Sequence, residues 1–360
     1  MTTLRETYSG KRVLVTGHTG FKGAWLTHWL GRLDAEVSGY ALDPDPGQET
    51  LFGIVRGGTV IGDDERGDLM HFPALAAHVA RIRPEFVFHL GAQSLVRRSY
   101  AQPVETLAVN VLGTGHLLEA VRFHAPGATV VVVTSDKCYE NREWVHAYRE
   151  TDALGGHDVY SASKAAAELV ATAWRKSFFD QAGTVGRVAT GRGGNVIGGG
   201  DFSEDRIVPD LVRALGKGEP IPIRSPRSTR PWQHVLDCLS GYLWLARWLA
   251  CGDQARSSPL RAFNFGPTGD SERSVGALVD ECLRHWPGHW EDHSRSDAPH
   301  EAGRLAVSID QARSFLGWTP CWGFERAVAE TMDWYLAWSR GASDEELRNL
   351  MNRQIDAFEA

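Results

Sequence analysis

Residues 12–33 read RVLVTGHTGFKGAWLTHWLGRL, and this stretch decides the fold. It opens with a short apolar run of strand length and closes with apolar residues at helical spacing. Between them stand Gly17, Gly20 and Gly23, in the pattern G-x-x-G-x-x-G. Gly17 permits a tight turn, Gly20 lets the backbone approach a pyrophosphate, and Gly23 lets the helix pack closely on the strand. The helix N-terminus then offers unpaired N–H groups to the anion. Glycines that merely end a strand are the plainer alternative. The strand–turn–helix setting favours a dinucleotide site.

Outward from this unit, apolar runs alternate with helical patterns. Strands are predicted at 12–16, 36–42, 86–90, 129–134 and 185–190, and helices at 20–33, 73–82, 104–123 and 158–179. The run Val130–Val133 is apolar on both faces, as suits a parallel strand covered by helices on either side. The alternation predicts an α/β fold with a Rossmann-type doubly wound parallel sheet. Past residue 191 the pattern changes. Residues 191–200 (GRGGNVIGGG) are too glycine-rich for a helix or a long strand, and a smaller, mixed C-terminal substrate domain is expected. The predicted division is a nucleotide-binding domain at 1–192 with a returning segment at 233–267, and a substrate domain from 193–232 and 268–360. At 360 residues a large domain plus a smaller one is the ordinary expectation.

Composition narrows the function. A net charge of −7 argues against a general nucleic-acid or anionic-membrane surface. The five cysteines (Cys138, Cys238, Cys251, Cys282, Cys321) form no CxxC pair, so neither a metal site nor a disulfide framework is indicated. The start, MTTLRETYSGKR, has no apolar signal core, and no stretch approaches the ~18 apolar residues of a membrane helix. A cytoplasmic protein with no membrane partner is expected.

Two further patterns carry chemistry. Asp43 follows the second strand, 20 residues past Gly23, where a carboxylate can accept hydrogen bonds from an adenosine ribose. A 2′-phosphate there meets like charge, worth roughly 4 kcal/mol at ~4 Å and an effective dielectric of ~20 before screening, so NAD is favoured over NADP. Tyr160 and Lys164 stand four apart in YSASK and share a helix face. Tyrosine alone is a poor base, and a neighbouring ammonium stabilises its phenolate.

GHTGFKG followed by YSASK resembles the extended short-chain dehydrogenase/reductase family, and the order of elements agrees over nearly the whole chain. TSDKCY (134–139) stands where nucleotide-sugar 4,6-dehydratases carry a Thr/Ser–Asp–Glu trio, here Ser135, Asp136 and Lys137. Lysine at the third place is similar to the branch acting on CDP-glucose. FHLGAQSLVRRSY (88–100), NREWVHAYRE (141–150), GGNVIGGGD (193–201) and RPWQHVL (230–236) are similar to that branch too. One departure is Gly193, in Arg192-Gly193-Gly194-Asn195, where the branch usually has alanine.

The resemblance implies NAD as cofactor and CDP-glucose as the partner molecule. It implies Gly17, Thr19, Gly20, Phe21, Gly23, Asp43, Asp68, Leu69, Ala92, Tyr160 and Lys164 around the cofactor. Gln93, Asn195, Arg206 and Arg230 are implied for the substrate, with Arg230 at the pyrophosphate. Tyr160 serves as base at the 4-hydroxyl, and Asp136 as a protonated acid for the departing 6-hydroxyl. Lys137 either takes the carbon 5 proton as a neutral amine or stabilises the enolate as a cation. An epimerase or a dehydratase for another nucleotide sugar is the near rival, and a non-catalytic nucleotide sensor the distant one. A homodimer through helices 104–123 and 158–179 is also implied. Apolar Ala166, Val170, Trp174 and Phe178 lie off the cofactor face of the second helix.

Overall fold

A computed structural model describes residues 3–59, 61–181, 186–251, 260–294 and 303–360. Strands β1 (Arg12–Thr16), β2 (Glu36–Ala41), β3 (Ile61–Arg66), β4 (Phe86–His89), β5 (Thr129–Ser135) and β6 (Arg187–Gly193) join a later strand, Ala262–Phe265, in one sheet. The spatial order is Ala262–Phe265, β6, β5, β4, β1, β2, β3, and every pairing is parallel. The order turns back at β1 and β4, the switch point where such sheets open a crevice for ligands.

The helices are α1 (Leu4–Tyr8), α2 (Phe21–Arg32), α3 (Glu49–Arg56), α4 (Phe72–Ile82), α5 (Val96–Ala101), α6 (Pro103–Leu107), α7 (Gly113–His124), α8 (Val159–Trp174), α9 (Ile207–Lys217) and α10 (Val235–Cys251), followed by Val275–His285, Phe324–Ser339 and Asp344–Glu359. Val13, Val15, Val131 and Val133 pack into one core with Trp25 and Trp29 of α2 and the apolar face of α10. Leu14, Val87, Val130, Val132 and Val188 enter a second core on the opposite face, with α4 and α7. Alternate residues serve alternate faces, which is why the strands read as uniformly apolar. Among the described residues no helix is long and apolar enough to cross a membrane.

The structure corrects the sequence reading at four places. First, β3 reads IGDDER and shows no strand pattern. It is an edge strand, where one flank faces water and tolerates charge, and Arg81 pairs with its Asp63 at 2.7 Å. Second, β6 runs through Gly193 instead of ending at Thr190, while Val185, its predicted first residue, lies outside the described residues. Here the glycines admit α10. A Cβ on Gly191 would stand 2.9 Å from the Tyr242 ring, and one on Gly193 only 2.5 Å from the Tyr242 hydroxyl.

Third, the loss of strand–helix alternation past residue 191 hides a largely helical region, which holds α9, α10 and the three later helices, with Trp318, Trp322 and Trp334 buried among them.

Fourth, the helix predicted at 104–123 is two helices joined by a π-helical turn, Ala108–Leu112. Such turns interrupt the α-helical ladder and often mark functional sites. This one buries Asn110, whose side chain bonds the backbone N–H and carbonyl of Gln93 (2.8 and 2.9 Å) and the Ser163 hydroxyl (2.8 Å). Helix α8 likewise passes into a π turn, Arg175–Phe179. Its Trp174 is largely engaged within the chain, donating to Glu119 at 3.1 Å and covering Gly115, so the outward apolar residue is Leu169.

Gly193→Ala is expected to destabilise the fold by ~1–3 kcal/mol, the usual cost of overpacking. The urea midpoint should fall with an unchanged slope.

Candidate active site

The glycine loop sits at the β1 end of the crevice. Gly17 adopts φ +71°, and a Cβ there would lie 2.7 Å from the Gly91 nitrogen. A Cβ on Gly23 would lie 2.0 Å from the Gly17 carbonyl oxygen. Any side chain at either position fills the cradle. Gly20 is the N-cap of α2 and, having no side chain, makes no capping hydrogen bond to the helix N–H groups. The loop therefore fits a dinucleotide pyrophosphate. Thr19 and Phe21 are buried, and the Thr19 hydroxyl donates to the Leu42 carbonyl at 3.0 Å, tying the loop to the end of β2.

The predicted cofactor residues Asp43, Asp68, Leu69 and Ala92 lie in the loops after β2, β3 and β4. Leu69 is buried against Gly91 and Gly113. The Asp68 carboxylate accepts from the Met70 N–H at 2.8 Å. Ala92 is half-buried after β4. Asp43 lies two residues past β2, exposed, and pairs with Arg66 at 3.2 Å. Gln93 differs in kind. Its amide donates to the Leu95 carbonyl and the Thr106 hydroxyl and accepts from the Leu95 N–H, so the side chain is engaged within its own loop.

At the end of β5 the Ser135 hydroxyl caps the 3-10 turn Asp136–Cys138, accepting from the Lys137 N–H at 3.2 Å, and donates to Oδ1 of Asp136 at 2.9 Å. Asp136 is 2 % exposed and its Oδ2 has no hydrogen-bond partner among the described residues. A Cβ on Gly194 would stand 3.2 Å from that oxygen, so the glycine leaves room beside it. Burial pushes the Asp136 carboxyl above the usual carboxylate range, against the pull of Lys137, the Ser135 bond and Arg230.

Tyr160 sits in the first turn of α8. Burial drives its phenol up to about 12, opposed first by the Ser135 hydrogen bond and then by Arg206. Lys164 follows one turn later, with its Nζ donating to the Val133 carbonyl at 3.4 Å. Burial, and then the Lys22 ammonium, pull it down to about 8.

Lys22 escaped the sequence reading, although a charge inside the glycine fingerprint was the signal. Its ammonium stands 5.8 Å over the Tyr242 ring, and burial lowers its basicity. Arg192 and Glu168 were missed as a pair. Arg192 Nη2 donates to Glu168 Oε2 at 2.8 Å, and both are almost fully buried. The same carboxylate accepts from the Thr134 and Thr190 hydroxyls, and Arg192 also bonds Tyr139 and the Glu150 carbonyl.

Across the crevice, Arg206 is oriented by Asp201 (3.2 Å) and reaches Ser94 at 3.4 Å. Arg230 is 4 % exposed and donates to the Thr229 carbonyl at 3.0 Å. Half-buried Asn195 follows β6, its backbone carbonyl accepting from Gln233 at 3.1 Å. Of the arginine cluster near residue 227, Arg230 alone turns inward. Arg224 pairs with Asp205 at 2.7 Å, and Arg227 is exposed. The chain thus gathers an uncapped helix N-terminus, a buried Tyr–Lys–Ser–Asp group and inward arginines around one crevice.

Residues 14–331 match the family model described as GDP-mannose 4,6 dehydratase. The CDP-glucose 4,6-dehydratase of Salmonella typhimurium is 46% identical over 98% of this chain and 97% of its own length. The structure of MoeE5 in complex with UDP-glucose and NAD superposes with a TM-score of 0.73 at 27% identity, covering 91% of this chain and 99% of the other. The dTDP-glucose 4,6-dehydratase of Bacillus anthracis, in complex with NAD, shares the fold at a TM-score of 0.73 and 19% identity, covering 90% and 96% of the two chains. The chain belongs to the nucleotide-sugar 4,6-dehydratase family of extended short-chain dehydrogenases/reductases.

Proposed function

We propose that this protein converts CDP-glucose to CDP-4-keto-6-deoxyglucose and water, using NAD held in the crevice. The observation that carries the reading is Asp136, a buried carboxyl with one oxygen unpartnered among the described residues, next to Ser135. An epimerase needs no acid at the 6-hydroxyl, whereas a dehydratase does. Burial keeps this carboxyl protonated further up the pH scale than an exposed one, which suits a proton donor.

Bound NAD, held by the glycine loop with Tyr160 and Lys164, would supply the hydride chemistry, as acceptor from carbon 4 and donor to carbon 6. The chain's residues handle protons and charge. Tyr160 receives the proton of the 4-hydroxyl, with Ser135 hydrogen-bonding the same oxygen and Lys164 stabilising the phenolate. The 4-ketone acidifies the hydrogen on carbon 5. Its removal gives an enolate, and Asp136 donates a proton to the departing 6-hydroxyl, which leaves as water. We assign Lys137 to carbon 5, either as the base or as the cation that holds the enolate while another group or water takes the proton. A proton then returns to carbon 5.

Arg230 serves the pyrophosphate through its planar fork, with Asn195 and Arg206 beside the sugar phosphate. Gln93, engaged with Leu95 and Thr106, shapes the loop that borders the substrate. Gly17, Thr19, Gly20, Phe21 and Gly23 cradle the cofactor pyrophosphate, while Asp43, Asp68, Leu69 and Ala92 border its adenosine and ribose. Residues 1–192 with 233–267 hold the cofactor in this reading, and 193–232 with 268–360 hold the sugar nucleotide.

Incubation with CDP-glucose and NAD should yield the base-induced absorbance of a 4-keto sugar. Asp136→Asn should still oxidise carbon 4, seen as transient NADH absorbance, but make product at least ~10²-fold more slowly, the scale of a lost general acid. Normal product formation by Asp136→Asn would remove that carboxylate from the elimination.

The pH profile tests Lys164. With its pKa down at about 8, the ammonium is present below that pH and lost above it, and the phenolate loses its counter-charge. The rate constant kcat/KM should therefore fall on the alkaline side near pH 8. Lys164→Arg, which keeps its proton, should move that limb upward. An unmoved limb would belong to another group.

The homodimer is supported by apolar side chains left exposed along one flank. Val104, Leu107, Leu112 and Phe123 lie on α6, the π turn and α7, and Leu169 and Phe178 on α8 and the turn after it. A two-fold contact would bury the same patch from both copies. Leu169, 60 % exposed, is a sharper probe than Trp174. Light scattering should give a dimer for the unaltered chain and a folded monomer for Leu169→Glu, since an unpaired buried carboxylate is costly.

A further inference from the structure

Arg66 closes β3 in register with Ala41 of β2, so its guanidinium stands where the chain leaves β2 toward Asp43. Its Nε lies 3.2 Å from Oδ1 of Asp43. Arg66 is the one ion-pair partner of Asp43 among the described residues. The rest of the guanidinium is held by Asp64 and lies over Phe52. Nη2 donates to Oδ2 of Asp64 at 3.1 Å, and Nη1 lies 3.0 Å from Nε2 of His18. Its central carbon sits 4.7 Å from the centre of the Phe52 ring. Asp64 is itself held 2.8 Å from Nε2 of His18, which belongs to the glycine loop. Burial pushes the Asp64 carboxyl up, and the bonds from His18 and Arg66 outweigh it, so Asp64 stays a carboxylate.

The two members of the pair differ in freedom. The Asp43 side chain is 87 % exposed, the Arg66 side chain 28 %. An exposed carboxylate two residues past a strand has several rotamers to choose from. A guanidinium held by a carboxylate and covered by an aromatic face does not.

We infer that Arg66 is a positioning residue for cofactor choice, holding the Asp43 carboxylate at the ribose edge above a latent phosphate-binding guanidinium. The inference rests on Asp43 facing the adenosine ribose. With Asp43 present, the Nε edge of Arg66 is taken and the carboxylate repels a 2′-phosphate, so NAD is selected. With Asp43 removed, that edge opens to phosphate oxygens, which guanidinium groups bind in pairs. Selectivity against NADP is then held by one carboxylate over a site otherwise ready for the phosphate.

Calorimetric titration of the full chain with NAD and with NADP tests this, using Asp43→Ala, Arg66→Ala and the double variant. Asp43→Ala should tighten NADP binding by at least about tenfold, and the gain should shrink with added salt, as a charge–phosphate contact requires. Arg66→Ala alone should weaken NAD several-fold without helping NADP. The double variant should lose the NADP gain. A gain that survives in the double variant overturns the role of Arg66 while leaving Asp43 at the ribose. Unchanged affinities for both nucleotides in Asp43→Ala overturn the ribose reading itself. Arg66→Gln, which keeps the stem over Phe52 without the charge, replaces Arg66→Ala if circular dichroism shows that variant unfolded, and the same outcomes decide.

Discussion

The buried pair Arg192–Glu168 is the interaction on which the rest of the crevice depends. Arg192 belongs to β6 and Glu168 to α8, so the pair fastens the helix bearing Tyr160 and Lys164 to the sheet. Thr134 of β5, just before Ser135, donates into the same carboxylate, and Thr190 does so from β6. Two buried charges are expensive to desolvate, and their attraction compensates only when further hydrogen bonds satisfy them. Here each charge has several partners. The Tyr139 hydroxyl donates to Asn264 on the edge strand and accepts from Arg192, so the network runs from β5 and α8 through β6 to that strand.

That frame has an electrostatic cost, and the site uses it. Tyr160, Asp136 and Lys164 are all pushed toward their neutral forms by burial. Protonated aspartate suits its proposed task as a proton donor. Tyrosine and lysine are the exceptions: Tyr160 must be drawn to the phenolate before it can accept a proton, and Lys164 needs its charge to draw it there. Lys22 makes that harder and Glu168 eases it, without cancelling the effect of burial.

How much of this was legible in the sequence depended on what each residue answers to. The first strand, its glycine loop and helix were readable because backbone sterics dictate them. The Cβ positions at Gly17 and Gly23 are filled by other backbone atoms. The Tyr160/Lys164 pair was readable from helical spacing. β3 was not, because an edge strand needs its charges outward and shows no alternation to find. The glycines of β6 were misread for a related reason: what they accommodate, Tyr242, lies some fifty residues on, and no local pattern points to it. Arg192 and Glu168 carried no signal as a pair, since they meet only through the packing of α8 on the sheet. The sense of the Lys164 shift likewise depends first on burial and then on Lys22, neither of which the neighbouring sequence reveals.

The π turn at Ala108–Leu112 has a consequence for comparing chains of this kind. A π turn holds about one residue more than the 3.6 of an α-helical turn, so a helical wheel drawn straight through it slips by roughly 100°. Residues spaced to share a stripe in α6 and α7 are therefore offset, and Asn110 is carried inward although its neighbours on either side lie further toward the surface. A relative one residue shorter at this point can keep both helices and their stripes in register by closing the turn to ordinary α-helix. A single-residue gap at 108–112 in an alignment is then a change of helical winding, and the inward place of Asn110, with its grip on the Gln93 loop, goes with it.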